Sequence, residues 1–457
     1  MSRLPPASSV AETLAARIAA IDASALPQAV REKCADLLID VIGLCVAARS
    51  EPYVTSALAA WDDTGPCTAI GHAQTVSAAA AAFVNGTAAH GEDFDDTFEG
   101  GPVHAGAVIV PAVLSACERH DGDGGTALRG VAIGIETLCR LSLVAPKAIH
   151  RAGFHPTAVL GAIGAAAAVG AALKLPAREI VNALGIAGSM ASGIIEYLAE
   201  GAWTKRLHPG WAAQSGLRAA LLARAGFVGP RTVFEGTHGF FYGFARASAG
   251  DYAALIDDFG VRWVAETIAF KPYPCGTMAQ PYIDCARRLH AQGIAPDAID
   301  EIVCETAEGF VHRLWEPLVD KQRPSNGVAA KFSIPYAVAV GLVHGQVGLD
   351  SFTDAATQDP QVRAVAAKVR YQIDPAHPYP RNYTGHIRAR LRDGRVLEER
   401  QPHLRGGVHE PLSRREIEEK FARNCRHGGW SQTRIDAALC LARSLYRGPI
   451  DLAPLRG

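Results

Sequence analysis

The residues best suited to chemistry fall in three short segments. The densest is His90-Gly91-Glu92-Asp93-Phe94-Asp95-Asp96-Thr97-Phe98-Glu99, with His104 just beyond. Its five carboxylates repel one another unless cations, a metal ion or solvent neutralise them. A solvated acidic helix end is one reading. Phe94 and Phe98 argue against full exposure, because they can anchor the segment to a core. The second segment, Gly153-Phe154-His155-Pro156-Thr157, sets His155 immediately before an Ala/Gly-rich helical run. A helix N-terminus favours negative charge and lowers the pKa of a nearby histidine, which suits an anion site or a neutral imidazole. A cap-region histidine bonded to backbone is the alternative. The third segment, Thr204-Lys205-Arg206-Leu207-His208-Pro209-Gly210, places two cations and a histidine ahead of a helix expected from Ala212. Lys and Arg there, with free N–H groups from that helix, would form a cradle for carboxylates. A solvated basic loop would look the same. Lys271, followed by Pro272, Pro274 and Cys275, stands in a rigid loop leaving an expected strand.

Gathered in one cleft, these groups suit a small polycarboxylate. Cations hold its carboxylates, a base removes a proton next to one of them, and an acid helps a hydroxide depart. The chain has no G-x-S-x-G elbow, P-loop, GxGxxG or HExxH, which removes weight from nucleotide binding and the common hydrolase chemistries. Asp95-Asp96-Thr97-Phe98-Glu99 is a DDxxE string, as in isoprenoid synthases that hold Mg²⁺ and diphosphate. Such a site needs a second metal-binding motif on a facing helix, and the sequence offers no clear one.

Helices must position most of these residues. A capping box at Ser9–Glu12 opens the first helix, and Val30, Cys34, Leu37, Leu38, Val41 and Cys45 form one apolar stripe after Pro27. Helical spacing continues over 77–89, 105–119, 126–143, 157–173, 178–195 and 212–225, with Gly-rich turns between several of them. From about residue 264 the pattern changes. Val264, Glu266 and Ile268 alternate, 302–306 reads as a strand, and alternation returns at 369–373 and 387–391. Asp393-Gly394 then turns into 396–398, a hairpin signal. Helical runs at 279–292 and 334–343 lie between these strands. A capping box at Ser413–Glu416 opens a helical C-terminus. The expected fold is mainly α: a large all-helical domain with an inserted smaller α+β lid domain. The expected boundaries are 1–265 and 406–457 for the helical domain and 266–405 for the lid.

Composition narrows the function classes. The 457 residues carry 45 basic and 46 acidic side chains, a formal net charge of −1, which excludes a global footprint for nucleic acid. The 10 cysteines include no CxxC pair and read as reduced, mostly buried thiols of a cytoplasmic protein. The N-terminus has no apolar core of a secretory signal. The uncharged stretch 157–173 approaches spanning length, but Ala and Gly contribute little insertion energy, so a packed buried helix is expected and no membrane span.

Together the motifs resemble the 2-methylcitrate dehydratase (MmgE/PrpD) family, which includes cis-aconitate decarboxylases and an iminodisuccinate epimerase. The segments are AFVNGTAAHGEDFDDTF with PVHAGAVIVPAVL, GFHPTAVLGAIGAA, GAWTKRLHPGWAAQSGLRAALLA, FKPYPCG and AAKFSIPYAVA, in family order over about 80–345. The resemblance implies a homodimer, an active site in the cleft between the domains, and lyase or epimerase chemistry with no cofactor: no metal, nucleotide or iron–sulfur cluster. It places Asp93, His104 and His155 as catalytic residues, with the two histidines as acid and base candidates and Asp93 orienting one of them or serving as base. It gives Lys205, His208 and Lys271 to the substrate's carboxylates, and Thr97 and Tyr336 to hydroxyl hydrogen bonds. Asp95 and Asp96 are left as structural. The implied activity is a 2-methylcitrate dehydratase-like hydro-lyase acting on a hydroxylated di- or tricarboxylate. Decarboxylation or epimerisation on the same scaffold is the alternative, and a catalytically inactive binding paralogue is the alternative of another class. One departure stands out. Family members commonly carry a histidine a few residues after the cysteine of FKPYPC, and here Gln280 occupies that place. Glutamine cannot shuttle a proton at neutral pH.

Overall fold

Capping side chains and apolar stripes set where the helices begin. The computed structural model describes residues 8–101, 103–247 and 249–457. Residues 1–7 of the N-terminus and Pro102 at the head of the PVHAG motif lie outside them. The principal helices are α1 (Val10–Ala20), α2 (Gln28–Ala48), α3 (Ala78–His90), α4 (Gly106–Arg119), α5 (Gly124–Val144), α6 (Pro156–Ala172), α7 (Ala177–Met190), α8 (Thr204–Arg224), α9 (Gln280–Ala291), α10 (Ile334–His344), α11 (Arg414–His427) and α12 (Gln432–Ser444). Ser9 and Glu12 close a reciprocal capping box on α1, and Ser413 and Glu416 repeat it on α11. The chain is mainly α, as its periodicity predicts.

Two compact units form. The first holds residues up to Gly91, Asp95–Ala269 and Ser413–Gly457; the second holds Glu92–Phe94 and Phe270–Leu412. In the first, α6 is buried along its whole length and packs against α4, α5, α7 and α8. Its Ala and Gly residues permit this, since small side chains let helix axes approach closely. The tightest approach is between α3 and α8. A Cβ on Gly210 would lie 2.1 Å from the Phe83 carbonyl oxygen, so only glycine fits. No helix among the described residues is long and apolar enough to cross a membrane. All the cysteines are free thiols, and only Cys440 is exposed.

The C-terminal helices return to the first unit through a buried ion pair. Lys420 on α11 lies 2.8 Å from Asp40 on α2, with both residues 1% exposed. Phe421 fills the adjacent space at Gly43.

The second unit is built on a four-stranded sheet. Its strands are β3 (Ile299–Thr306), β4 (Val369–Ile373), β5 (Gly385–Leu391) and β6 (Val396–Gln401), preceded in the chain by the short pair β1 (Thr97–Phe98) and β2 (Ile268–Ala269) of the first unit. Their order is β4-β3-β5-β6, with β3 and β4 parallel and the rest antiparallel. Gly394 takes a left-handed φ of 89° in the β5–β6 hairpin, as the Asp-Gly signal predicts. Helix α9 packs against α10 and against β5 and β6.

Three local expectations are corrected. The alternation at Val264–Ile268 is a 3₁₀ turn over Val264–Thr267, with strand only at β2. The buried Glu136 carboxylate accepts the Val264 and Ala265 N–H groups that a neighbouring strand would otherwise take. The run expected over 178–195 stops at Met190, and the chain then extends to pair Ile194 with Phe154. The basic segment is no loop: α8 starts at Thr204, eight residues before Ala212, and contains Pro209. Pro209 lies early enough that only one turn of helix precedes its missing N–H.

Replacing Lys420 with Met leaves Asp40 buried without its cation. Urea unfolding is expected to show a loss of about 3–5 kcal/mol, much of it recovered when Asp40 is replaced by Leu in the same chain. A loss under about 1 kcal/mol would show that the pair does not secure α11.

Candidate active site

The acidic segment places each carboxylate differently. Asp95 and Asp96, at 0% and 1% exposure, are the buried ones in the first unit. The Asp96 carboxylate accepts the Ala105 and Gly106 N–H groups at 3.0 and 2.8 Å, which caps α4. Its own carbonyl accepts the Nδ1–H of His104 at 2.6 Å. A carbonyl only accepts, so Nδ1 of His104 carries the hydrogen and Nε2 is the nitrogen able to take a proton. Asp95 Oδ2 accepts the Nδ1–H of His90 at 2.7 Å, and Oδ1 lies 3.8 Å from His104 Nδ1. Phe94 and Phe98 are buried, as anticipated. Thr97 is held by β1, which pairs with Ala269 of β2.

His155 is the N-cap residue of α6. Its N–H donates to the Gly193 carbonyl at 2.9 Å, and Ile195 N–H donates back to Gly153 at 3.0 Å. Gly193 has φ +128°, and a Cβ there would come within 2.5 Å of Ala158 Cβ. This bridge fixes His155 so that its Nδ1 lies 3.0 Å from Nδ1 of His208, in the second turn of α8. One hydrogen occupies that contact, so one ring donates and the other accepts.

The imidazoles therefore form a run through the first unit. Ring centroids are 5.0 Å apart for His104 and His90, 5.8 Å for His90 and His155, and 5.2 Å for His155 and His208. His208 and Tyr197 line a cavity of about 460 Å³ with Ser192, Thr204, Leu207 and Trp211. That volume is in the range of small-molecule sites.

Burial governs the electrostatics. It drives His155 well below its ordinary pKa, and the positive charge of His90, His208 and Lys205 acts in the same direction. It also takes His208 from 6.5 to about 4, with His90 and Lys205 adding to the effect. The His155–His208 pair is thus neutral at pH 7. Asp96 is pushed up to about 7 by burial and then by Asp95 and Asp40, against the two N–H groups it accepts.

His90, Asp95 and His104 offer ligand atoms within 4.8 Å of one another, a spacing open to a metal ion. Ligation through the two Nδ1 atoms would require both to give up hydrogens that they donate to Asp95 and the Asp96 carbonyl. Those two aspartates are also the start of the DDxxE string. Their engagement with His90 and the α4 N–H groups leaves no outward diphosphate-binding face of the isoprenoid-synthase kind.

The second unit holds the remaining candidates. Lys271 and Lys331 are each 3% exposed. Lys271 Nζ donates to the Asp93 carbonyl at 2.9 Å, while Lys331 binds the Glu92 carboxylate and its carbonyl. Asp93 sits at a left-handed φ of 54°, an uncommon conformation for a residue with a side chain. Tyr336 is buried and donates to the Ser351 carbonyl at 2.8 Å, beside a small cavity lined by His344 and Asp359. Gln280 is fully buried, and its amide donates to the Tyr273 and Cys275 carbonyls. It braces the loop that follows Lys271.

The structure thus brings together His104, His155, His208 and Lys205 in one unit, and Asp93 with Lys271 in the other. Sequence reasoning missed the pairing of His90 with Asp95 and the clamp by Lys331. Both lie inside motifs already singled out, HGEDFDD and AAKFSIPYAVA. Their partners are the part that no spacing reveals.

Comparison with known proteins finds matches along most of the chain. The MmgE/PrpD N-terminal domain model matches residues 12–251, and the MmgE/PrpD C-terminal domain model matches 273–443. A cis-aconitate decarboxylase of Homo sapiens is 31% identical over 356 residues, covering 75% of this chain and 72% of that protein. A cis-aconitate decarboxylase of Aspergillus terreus is 28% identical over 430 residues, covering 87% and 85%. A 2-methylcitrate dehydratase of Cupriavidus necator is 28% identical over 253 residues, covering 53% and 51%.

The depressed pKa of His208 has a measurable consequence. Between about 4 and 6.5 the unfolded chain binds the proton that folded His208 refuses, so this residue's contribution to stability is lost as pH falls through that window. Asp96, raised to about 7, has the opposite slope, so the contribution must be read as a difference. Thermal unfolding of wild type and His208→Asn across that window is expected to diverge by on the order of 2–3 kcal/mol. Parallel curves would contradict the assignment.

Proposed function

The chain belongs to the MmgE/PrpD family, and from that premise we propose that it is a cofactor-independent lyase acting on a small polycarboxylate. One observation carries the proposal: a run of imidazoles in which His104 is locked with Nδ1–H on a carbonyl, which makes Nε2 the nitrogen that can exchange a proton. Decarboxylation of cis-aconitate is the first reaction to test. The cis-aconitate decarboxylases described above align over three quarters or more of the chain, and the 2-methylcitrate dehydratase over about half.

Both reactions need the same device. In decarboxylation the C–C bond to a carboxylate breaks, CO₂ leaves, and the electron pair stays on carbon until an imidazolium supplies a proton. In dehydration an imidazole takes a proton from carbon, the pair forms the double bond, and the hydroxyl departs with a proton from an acid. His104 and His155 are the proposed acid–base residues, with Asp93 also proposed to be catalytic. The proposal gives the cations Lys205 and Lys271 to substrate carboxylates, whose growing negative charge they stabilise, with His208 as a neutral hydrogen-bonding group beside them. Thr97 is the proposed hydroxyl donor; Tyr336, expected to share that role, has its O–H committed to the Ser351 carbonyl beside a separate cavity and drops out of the proposal. The bracing role of Gln280 supplies a structural reason for its presence and weakens the case for an inactive paralogue.

We also propose a homodimer. Ile194, Trp203, Trp211, Leu222, Phe227 and Val228 are large apolar side chains exposed within one stretch of the first unit. Such concentrations mark interaction surfaces. Light scattering is expected to give twice the 48.2 kDa chain mass. A monomer at micromolar concentration would refute this.

The activity test is proton NMR in D₂O with chelator present, using cis-aconitate, 2-methylcitrate, citrate and related hydroxy- and amino-diacids. Loss of CO₂ from cis-aconitate with deuterium entering the product is expected. His104→Ala is expected to lower kcat by about 10²–10⁴-fold. A folded wild-type protein silent on every member of the panel would overturn the lyase proposal.

A further inference from the structure

Asp95 has no part in the chemistry proposed above, yet it is the most enclosed carboxylate near it. A carboxylate at 0% exposure persists only where hydrogen bonds or positive charge compensate it. Its two oxygens face two different imidazoles. Oδ2 binds His90 Nδ1–H at 2.7 Å, and Oδ1 stands 3.8 Å from Nδ1 of His104. His104 Nδ1–H already donates to the Asp96 carbonyl, so Asp95 acts on His104 through its field. His90 is 1% exposed, its Nε2 makes no hydrogen bond among the described residues, and its ring lies between those of His104 and His155.

The other end of the run is built differently. His155 and His208 meet Nδ1 to Nδ1 at 3.0 Å, a contact that holds one hydrogen and cannot accommodate two cations. The charges acting most on His155 come from His90, His208, Lys205 and His104, all of them cationic when protonated. A proton taken up by the run therefore finds its counter-charge at the Asp95 end.

We propose that Asp95 and His90 are positioning residues for the acid–base step: Asp95 is the buried counter-charge that allows His104 to hold a proton, and His90 keeps that carboxylate aligned. This rests on reading His104 as the proton-transfer group. When His104 Nε2 takes a proton the ring becomes a cation with Nδ1–H still on the Asp96 carbonyl, and Asp95 balances it without moving. Oriented carboxylates also support imidazolium formation in other acid–base sites, there through a direct hydrogen bond to Nδ1–H. His155, with its Nδ1 shared with His208, then remains the second acid–base residue, neutral until it accepts a proton.

The test uses the full chain carrying Asp95→Asn, which keeps the shape and an acceptor for His90 but removes the charge. With cis-aconitate as probe, kcat is expected to fall by about 10²-fold or more, with KM changed less than about threefold. A purely structural role would not produce that split in a protein of unchanged circular dichroism and melting temperature. A second readout needs no substrate. Titration of ¹⁵N-histidine-labelled protein follows His104, which is faced by Asp95 and Asp96 from its own loop, His90 from α3 and His155 from α6. Its midpoint is expected to fall by roughly one unit or more in Asp95→Asn. Wild-type kcat in the variant, or an unmoved His104 midpoint, overturns the proposal. Should wild type be silent on the substrate panel, the lyase proposal fails and the titration alone decides this one. Should Asp95→Asn not fold, His90→Gln takes its place: lower kcat and a shifted His104 midpoint are expected, and wild-type values for both overturn the proposal.

Discussion

The site hangs on the double use of Asp96. Its side chain holds the first N–H groups of α4, and its backbone carbonyl holds the imidazole of His104. Those bonds turn the chain between α3 and α4 back on itself, which sets Asp95 against His90. Asp96 is an expensive residue to bury, as its pKa of about 7 shows. It is tolerated because two backbone donors are directed at it, and helix N-termini favour negative charge. Gly106 belongs to the same arrangement: a Cβ there would come within 2.5 Å of Asp96 Oδ1.

Close packing of small residues does the rest. Helix α6 is buried on every side, and α3 and α8 touch through glycine. The rings that end on these helices are buried, so His155 and His208 lose much of the solvation that would let them carry charge. The packing of apolar helices and the chemistry of the imidazoles are thus one property. The buried carboxylate of Asp95 sits at the other end of the same run.

The second unit solves a similar problem with cations. Lys331 and Lys271 reach the backbone of Glu92 and Asp93, residues that group with this unit although their neighbours in sequence belong to the first. Asp93 is thereby held at a left-handed φ. The five carboxylates that look mutually repulsive in sequence do not share one environment. Glu92 has Lys331, Asp95 has His90, and Asp96 has the N-terminus of α4.

Much of this protein is determined by its sequence. Capping boxes at Ser9 and Ser413, the apolar stripe of α2, the Asp393-Gly394 hairpin and the strands at 302–306, 369–373 and 387–391 are local signals that survive without knowledge of the fold, whereas the alternation from Val264 folds as a 3₁₀ turn with strand only at β2. The motif residues were legible as well, because imidazole, ammonium and carboxylate groups at those spacings point to acid–base work on an anion. What only the tertiary structure decided is which group meets which. Thr204 starts α8 although Pro209 suggests a later start, because α8 is packed against α3 and α6 along its length. Gln280 braces a loop instead of facing solvent or substrate chemistry alone, since its neighbours lie seven and five residues upstream in a bend. Asp95 pairs with His90, and His155 with His208, across helix ends separated by up to 53 residues. Such pairings depend on burial, and burial is set by the whole core, which no single segment encodes.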